Sequence, residues 1–291
     1  MYKALYLYSN KTGLKRRKKF QENIIKKLSE IFELTAKKTS SLDELIFECK
    51  NCYKNYEVLI VAGGDGTFNA VISALSSLEK EHRPILGYLP LGTINDAGKG
   101  FGVKGKVRKA IKILKKQELV DIDICKVNNQ YFSYVCAIGS YSDISYITKR
   151  EKKKFFGRIS YYLIAIKEAF KIRKIHAVIK ADGVTYEVNT PVVLILNGPS
   201  VGGFTINSKA SMYDGVIDIY LTKGGLFNGL LHYLFFKVRT QHIQAKNIEI
   251  TTNCDETWCF DGEKGISGDL KIELLPQNIK VFGHKKVAKT K

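Results

Sequence analysis

The sequence has no uninterrupted apolar run close to the roughly 18 residues that a membrane-spanning helix needs. Met1-Tyr2-Lys3-Ala4-Leu5 opens on a strand-like pattern without the apolar core of a secretory leader, so a cytoplasmic protein is expected. The 6 cysteines stand at irregular spacings, as reduced thiols do in that compartment. Cys49-x-x-Cys52 falls on a helical pattern and no second such pair follows, which speaks against zinc. A Walker-type Gly-Lys-Ser/Thr is missing, so any phosphate must be held in another way. Helix-turn-helix, zinc-finger and RNP-type aromatic signatures are missing too, and with them the case for nucleic acid as a partner.

Acidic residues are also in short supply. Lys and Arg number 47 against 28 Asp and Glu, a formal net charge of +19 over 291 residues. Lysine-rich clusters stand at 15–19, 149–154 and 285–291. Each alone reads as a solvated helix face or a frayed end; together they favour nucleic acid, anionic lipid or phosphorylated ligands. The length suggests two domains, and 45% hydrophobic with 26% charged residues is ordinary for a globular protein.

Residues 3–9 alternate as a strand and end at the turn Asn10-Lys11-Thr12-Gly13. Leu14, Phe20, Ile24, Leu28 and Ile31 follow at helical spacing. A short strand near 34–36 precedes Ser41-x-x-Glu44, a capping box for a helix to about residue 55. Val58, Leu59, Ile60 and Val61 then form a buried strand that runs into Ala62-Gly63-Gly64-Asp65-Gly66-Thr67-Phe68-Asn69, and Ala70, Val71, Ile72, Ala74 and Leu75 continue as a helix. The glycines are expected to allow positive φ and close approach to a bound group. A helix N-terminus at such a turn aims free N–H groups at one spot, an anion site. Asp65 would repel phosphate there unless a divalent cation stood between them, so the stretch reads as a nucleotide–Mg²⁺ site.

Residues 85–89 form a fourth strand leading to Pro90-Leu91-Gly92-Thr93-Ile94-Asn95-Asp96, and a helix follows over 107–116. Strands alternating with helices imply a parallel, helix-covered sheet that binds ligands at its carboxyl edge. Gly13, Asp65, Thr93 and Asp96 should lie on that rim.

Beyond residue 120 the pattern changes. Segments 121–127, 131–137, 176–181, 186–188, 192–196, 215–221 and 248–252 read as strands joined mostly by turns, with one helix at 159–172. This implies a second, antiparallel β domain of sandwich type. An apolar stripe at helical spacing over 226–239 suits core packing, or a lipid-facing helix. Asp214-Gly215 and Asp261-Gly262-Glu263 put carboxylates in glycine turns beside strands, as metal or acid–base candidates.

Taken in order, Gly63-Gly64-Asp65-Gly66-Thr67, Gly92-Thr93-x-Asn95-Asp96, Asn197-Gly198 with Gly202-Gly203, Asp214-Gly215 and Asp261-Gly262-Glu263 resemble the diacylglycerol kinase catalytic-domain family, soluble bacterial lipid kinases related to sphingosine kinases. The first motif alone also resembles NAD kinases and phosphofructokinases; the later ones are more specific to lipid kinases. The resemblance implies an α/β ATP-binding domain over 1–122, completed by a returning segment near 277–288, and a β-sandwich lipid-substrate domain over 123–276. It implies ATP across Asn10, Lys11, Thr12, Gly13, Thr39, Gly63, Gly64, Asp65, Gly66, Thr67, Phe68, Asn69, Ala70 and Thr93. It further implies a structural Mg²⁺ on Asp214 and the main-chain carbonyls of Ser211 and Val216. Asp65, Asp96 and Asp123 complete the acidic network by the same likeness, and Glu263 matches the general base.

A primary lipid hydroxyl is a poor nucleophile, so it needs such a carboxylate to take its proton. The implied reaction is phosphorylation of a lipid hydroxyl, foremost that of diacylglycerol, by a cytoplasmic protein that touches an anionic membrane surface; a homodimer is compatible with the family. Other lipid acceptors, NAD, and a non-catalytic nucleotide-binding role are the alternatives. Two departures stand out. Lys11 replaces the family's usual proline, and Ala97-Gly98-Lys99 replaces Phe-Ala-Arg, which is expected to loosen that segment and to keep charge without the guanidinium fork.

Overall fold

The computed structural model of the protein describes residues 1–9, 15–139, 175–222, 240–253 and 256–285. Asn10, Lys11, Thr12 and Gly13, the expected helix at 159–172, the stripe at 226–239 and the lysine cluster at 149–154 lie outside the described residues. Two compact units divide the chain: Met1–Ile122 with Gln277–Lys291, and Asp123–Pro276.

Unit 1 alternates strands and helices: β1 (Lys3–Ser9), α1 (Lys15–Ser29), β2 (Glu33–Thr39), α2 (Leu42–Asn51), β3 (Val58–Gly63), α3 (Asp65–Ser76), β4 (Ile85–Pro90), α4 (Asp96–Lys99) and α5 (Val107–Lys116). The strands pair in parallel in the order β2-β1-β3-β4. β3 is a continuous apolar run because both faces of the sheet are covered by helices. On one face Tyr6, Ile60 and Gly87 lie in register. There the Tyr6 hydroxyl donates to Gln21 of α1 (2.9 Å), and a Cβ on Gly87 would come within 3.0 Å of Leu114 of α5. On the other face Tyr88 meets Phe68 of α3, ring centroids 4.8 Å apart, and Lys37 pairs with Glu48 of α2 at 2.9 Å. Half of the expected capping box at α2 forms: Ser41 Oγ accepts from Glu44 N (3.0 Å), while the Glu44 carboxylate reaches one residue further back, to Ser40 N (2.7 Å) instead of Ser41 N.

The α/β pattern gives way to antiparallel strands: β5 (Leu119–Val127), β6 (Gln130–Phe132), β7 (Val135–Gly139), β8 (Ile175–Ala181), β9 (Val184–Thr190), β10 (Val192–Leu196), β11 (Ser200–Val201), β12 (Phe204–Thr205), β13 (Ile217–Thr222), β14 (Thr240–Ala245), β15 (Asn247–Thr252), β16 (Thr257–Phe260), β17 (Glu263–Ser267) and β18 (Leu270–Phe282). In unit 2, β15 pairs with β8 and with the first residues of β18, and β8 pairs with β9. A second sheet runs β14-β13-β10-β7-β16-β17. Alternating residues from both sheets, such as Ile179, Ile250, Ile195, Ile219 and Phe260, meet in one apolar core around the fully buried Trp258. In unit 1, Val281 near the end of β18 pairs in parallel with Leu86 of β4. The architecture is an α/β parallel-sheet domain with a C-terminal antiparallel β-sandwich.

The single strand expected over 131–137 is two strands, broken at Ser133 and Tyr134. The cause lies far along the chain, at Asp261.

Candidate active site

β3 and β4 end side by side, with Gly63 opposite Pro90, and Leu91 N donates to Gly63 O (2.7 Å). Both glycine loops therefore start from the same edge of the sheet. Gly64 is the N-cap of α3 with φ −97° and ψ −170°, and none of Gly63, Gly64 and Gly66 has positive φ. The expectation of left-handed backbone in this turn is thus corrected: the glycines serve close approach. A Cβ on Gly63 would sit 2.4 Å from Thr67 Cβ, one on Gly64 3.0 Å from Gly92 Cα, and one on Gly92 2.5 Å from Gly64 Cα. The two loops touch backbone to backbone, and no side chain fits between them.

Asp65, at the start of α3, fastens the second loop to the first. Its Oδ2 accepts from Asn95 N (2.8 Å) and its Oδ1 from Ala97 N (3.0 Å). The carboxylate that sequence reading offered to a cation is engaged with two amides. Asn95 takes the left-handed conformation (φ 56°), which Asn tolerates, and ties the loop on itself. Its Oδ1 accepts from Gly92 N and its Nδ2 donates to Gly92 O, both at 2.8 Å. The Tyr88 hydroxyl lies 3.1 Å from Gly63 O and 3.3 Å from Asn95 Oδ1, both acceptors. Burial foremost, with the charge of Asp65 adding, holds that hydroxyl well above its usual range.

Asp96 is 1% exposed and its Oδ1 lies 2.6 Å from Lys99 Nζ. A buried carboxylate needs such a partner. Lys99 thus fills its place as a single-point contact. Nor is the segment loose: Ala97 and Gly98 are buried, and a Cβ on Gly98 would come 2.7 Å from Val103 O. Of the other residues assigned to the nucleotide, Gly66, Thr67, Asn69 and Ala70 are half-buried at the start of α3, and Thr93 is exposed in the second loop. Thr39 is buried at the end of β2, its hydroxyl donating to Tyr8 O (3.4 Å). Phe68 is buried among Tyr88 and Phe101, and its N–H donates to Gly64 O (3.0 Å), so its side chain belongs to the core.

The remaining acids belong to unit 2. Asp123 is 2% exposed; its N–H donates to Met212 O (2.6 Å) and its Oδ2 accepts from Gly215 N (2.9 Å). Asp214 Oδ2 accepts from Ser211 N (2.7 Å) and Oδ1 from Val216 N (3.4 Å). Although one edge of Asp214 reaches solvent, burial of the rest pushes its carboxyl up; the charges of Asp218 and Asp123 add, and the two amides oppose. Carboxylates crowded in this way disfavour one another's ionised form. Among the described residues no three His, Cys, Asp or Glu side chains converge as a metal cluster, so main-chain oxygens would have to complete a shell.

Asp261 is different. Its Oδ2 accepts from Ser133 N (2.6 Å) and Ser133 Oγ (2.7 Å), and its Oδ1 from Tyr134 N (2.9 Å) and Val135 N (3.0 Å). These amides are what break the strand between β6 and β7. Asp261 and Gly262 both have positive φ (49° and 82°), the requirement of a two-residue type I′ hairpin, and Phe260 pairs with Glu263 across it. Glu263, half-buried at the first position of β17, is therefore presented by a turn that Asp261 pins in place.

Sequence reading gave no role to Asp218 or His242. Asp218 Oδ1 lies 2.6 Å from His242 Nε2 and accepts from Gln244 Nε2 (3.0 Å), while the imidazole stacks on Tyr220 at 4.7 Å. The pairing was hidden because β14 carries no strand expectation. The Cys49 and Cys52 thiols are buried and pushed up by that burial, Cys52 to about 12, which fits inert core thiols.

Residues 3–127 match the family model of the diacylglycerol kinase catalytic domain, and residues 137–283 match the YegS C-terminal NAD kinase beta sandwich-like domain. A diacylglycerol kinase of Staphylococcus carnosus is 27% identical over 299 aligned positions, covering 99% of this chain and 97% of that one. One from Staphylococcus saprophyticus is 28% identical, covering 96% and 95%. The crystal structure of a diacylglycerol kinase from Bacillus anthracis superposes with a TM-score of 0.82 at 26% identity, covering 97% and 98%. The chain belongs to the diacylglycerol kinase catalytic-domain family and is a kinase of the lipid-kinase class.

Proposed function

We propose that the chain transfers the γ-phosphate of ATP to a lipid hydroxyl, most directly that of diacylglycerol, giving phosphatidic acid. The observation that carries the reading is the fastening of the second glycine loop onto the first by Asp65. It gives unit 1 a preformed rim that can receive phosphates on backbone amides without a Walker lysine. The N–H groups at the start of α3 would meet phosphate oxygens, and Asp65, Asn95 and Tyr88 would keep the rim rigid. Thr93, exposed in the second loop, and Thr39, at the end of β2, are the further nucleotide contacts this reading uses.

In unit 2, Glu263 is the group that takes the proton of the acceptor hydroxyl. The lipid oxygen bonds to the γ-phosphorus, the bond from that phosphorus to the β–γ bridging oxygen breaks, ADP leaves, and Glu263 returns its proton to water. Asp214, with the main-chain carbonyls of Ser211 and Val216, would hold a Mg²⁺, with Asp123 as the neighbouring acid of unit 2; in unit 1, Asp65 and Asp96 are the acidic residues of the nucleotide rim. When bound, that ion neutralises the local excess of carboxylate charge.

Charge distribution supports a membrane-bound acceptor. α1 and α5 share one face of the unit 1 sheet. Over residues 18–29 of α1 four Lys stand against one Glu, and α5 carries five Lys and Arg with no acid. On the opposite face α2 has three acids against one Lys, and α3 has one acid and no base. An anionic bilayer attracts each nearby Lys or Arg by about 1 kcal/mol. The reading is thus of a protein at the inner face of the membrane, held there peripherally. Among the described residues no helix is long and apolar enough to cross it.

The test is transfer of label from Mg-ATP to diacylglycerol, a sphingoid base, a polyprenol and NAD. Label in the diacylglycerol product supports the proposal; label in NAD alone overturns the acceptor assignment.

A further inference from the structure

Asn197 follows β10 in the interior of unit 2 and has no exposed surface. Its Nδ2 donates to two main-chain carbonyls, Asp123 O and Ser133 O, each at 2.8 Å, and its N–H donates to Tyr134 O (3.0 Å). Its Oδ1 is buried and finds no partner. An orphaned buried acceptor costs about 1–3 kcal/mol, so an amide retained for stability alone would be placed to use both ends. What Nδ2 joins is informative. On one side stands Asp123, whose carboxylate takes Gly215 N in the turn of Asp214. On the other stands Ser133, whose N–H and hydroxyl both donate to Asp261, the residue that pins the turn before Glu263.

We propose that Asn197 is a positioning residue for the reaction: one buried amide fixes the Asp123 strand and the Asp261–Glu263 turn relative to each other. The inference rests on the reading of Glu263 as base and of Asp123 as part of the acidic network. A shift of about 1 Å in a reacting group can cost on the order of a hundredfold in rate, so loss of the bridge should appear in turnover.

The experiment compares Asn197→Ala and Asn197→Ser with Thr190→Ala, a control in the same unit. Thr190 is buried, and its hydroxyl donates to Val192 O (2.8 Å) and accepts from Val192 N (3.3 Å). Thermal melting, the Mg-ATP dissociation constant and kcat per folded molecule are read for each. The Asn197 variants should lose about tenfold or more in kcat while nucleotide affinity stays within about twofold, with Asn197→Ser retaining more activity than Asn197→Ala. Thr190→Ala should melt earlier with kcat unchanged. Equal kcat in all three, or failure of both Asn197 variants to fold, would assign the residue to stability alone and overturn the proposal.

Amide hydrogen exchange separates this outcome from failure of the kinase reading. Should the wild type phosphorylate no lipid, faster exchange confined to Ser133, Tyr134, Val135 and Gly215 in Asn197→Ser still supports the bridge. Uniformly faster exchange across unit 2 contradicts it.

Discussion

Asp261 and Asp214 are both carboxylates in glycine turns, yet their surroundings direct them to different work. Asp261 accepts four hydrogen bonds from Ser133, Tyr134 and Val135, so Asp261→Ala strands several buried donors at once. It should lose about 3 kcal/mol or more in urea unfolding, with kcat falling as the Glu263 turn loosens. Asp214 is held above its ordinary 3.8 by burial and by the charges of Asp218 and Asp123. Its ionisation therefore opposes folding: the favourable contribution is complete below pH 3.8 and is lost as pH rises through the raised value. Stability of wild type minus that of Asp214→Asn should move against the wild type over that window in metal-free protein. Added Mg²⁺ should restore the wild type and leave the variant unmoved, as thermal melting across pH would show. A pH-independent difference would mean that Asp214 carries no such burden. Both turns were legible in the sequence as Asp-Gly pairs. What told them apart was not, because the deciding amides come from positions 126 to 128 residues away in one case and from immediate neighbours in the other.

At the scale of elements, β3, β4, β10 and the helices α1, α2, α3 and α5 follow from apolar runs and helical spacing, and the structure returns them within a residue or a few; the one-turn α4 carried no such signal. One miss has its cause far along the chain. The 131–137 segment looks like one strand until Asp261 draws three of its amides aside. β14 and β16 carried no strand expectation and are fixed by pairing, β14 with β13 and β16 with β7. The glycine turn was legible as a strand-to-helix loop, but the reason for its glycines was misread: backbone contact between Gly64 and Gly92 requires them, and φ does not. Gly92→Ala should therefore push the loops apart, costing about 1–3 kcal/mol of stability and about tenfold or more in Mg-ATP affinity by calorimetry. Unchanged affinity would remove the loops from the nucleotide site. Gly98→Ala meets Val103 O and should destabilise α4 by a similar amount.

For the molecule as a whole, the +19 charge was plain from composition, but its segregation required the fold. Register and the Tyr6–Gln21 and Gly87–Leu114 contacts show that α1 and α5 lie on one side of the unit 1 sheet. Replacing exposed Lys109 and Lys112 of α5 with Glu should weaken binding to phosphatidylglycerol vesicles by about tenfold or more, since each lost charge removes about 1 kcal/mol. Wild-type binding should fall as salt rises, and phosphatidylcholine vesicles should bind poorly in every case. Vesicle sedimentation measures all three. Equal binding of the wild type and the double variant would place the membrane contact elsewhere.

The most direct measurement is ³²P transfer from Mg-ATP to diacylglycerol in mixed micelles containing anionic lipid, for wild type, Glu263→Gln and Asp65→Ala. The account predicts labelled phosphatidic acid from the wild type and almost none from either variant. Glu263→Gln should keep its nucleotide affinity, and Asp65→Ala should lose it as the second loop comes free. Undiminished transfer by Glu263→Gln, or label in NAD and in no lipid, would contradict the account.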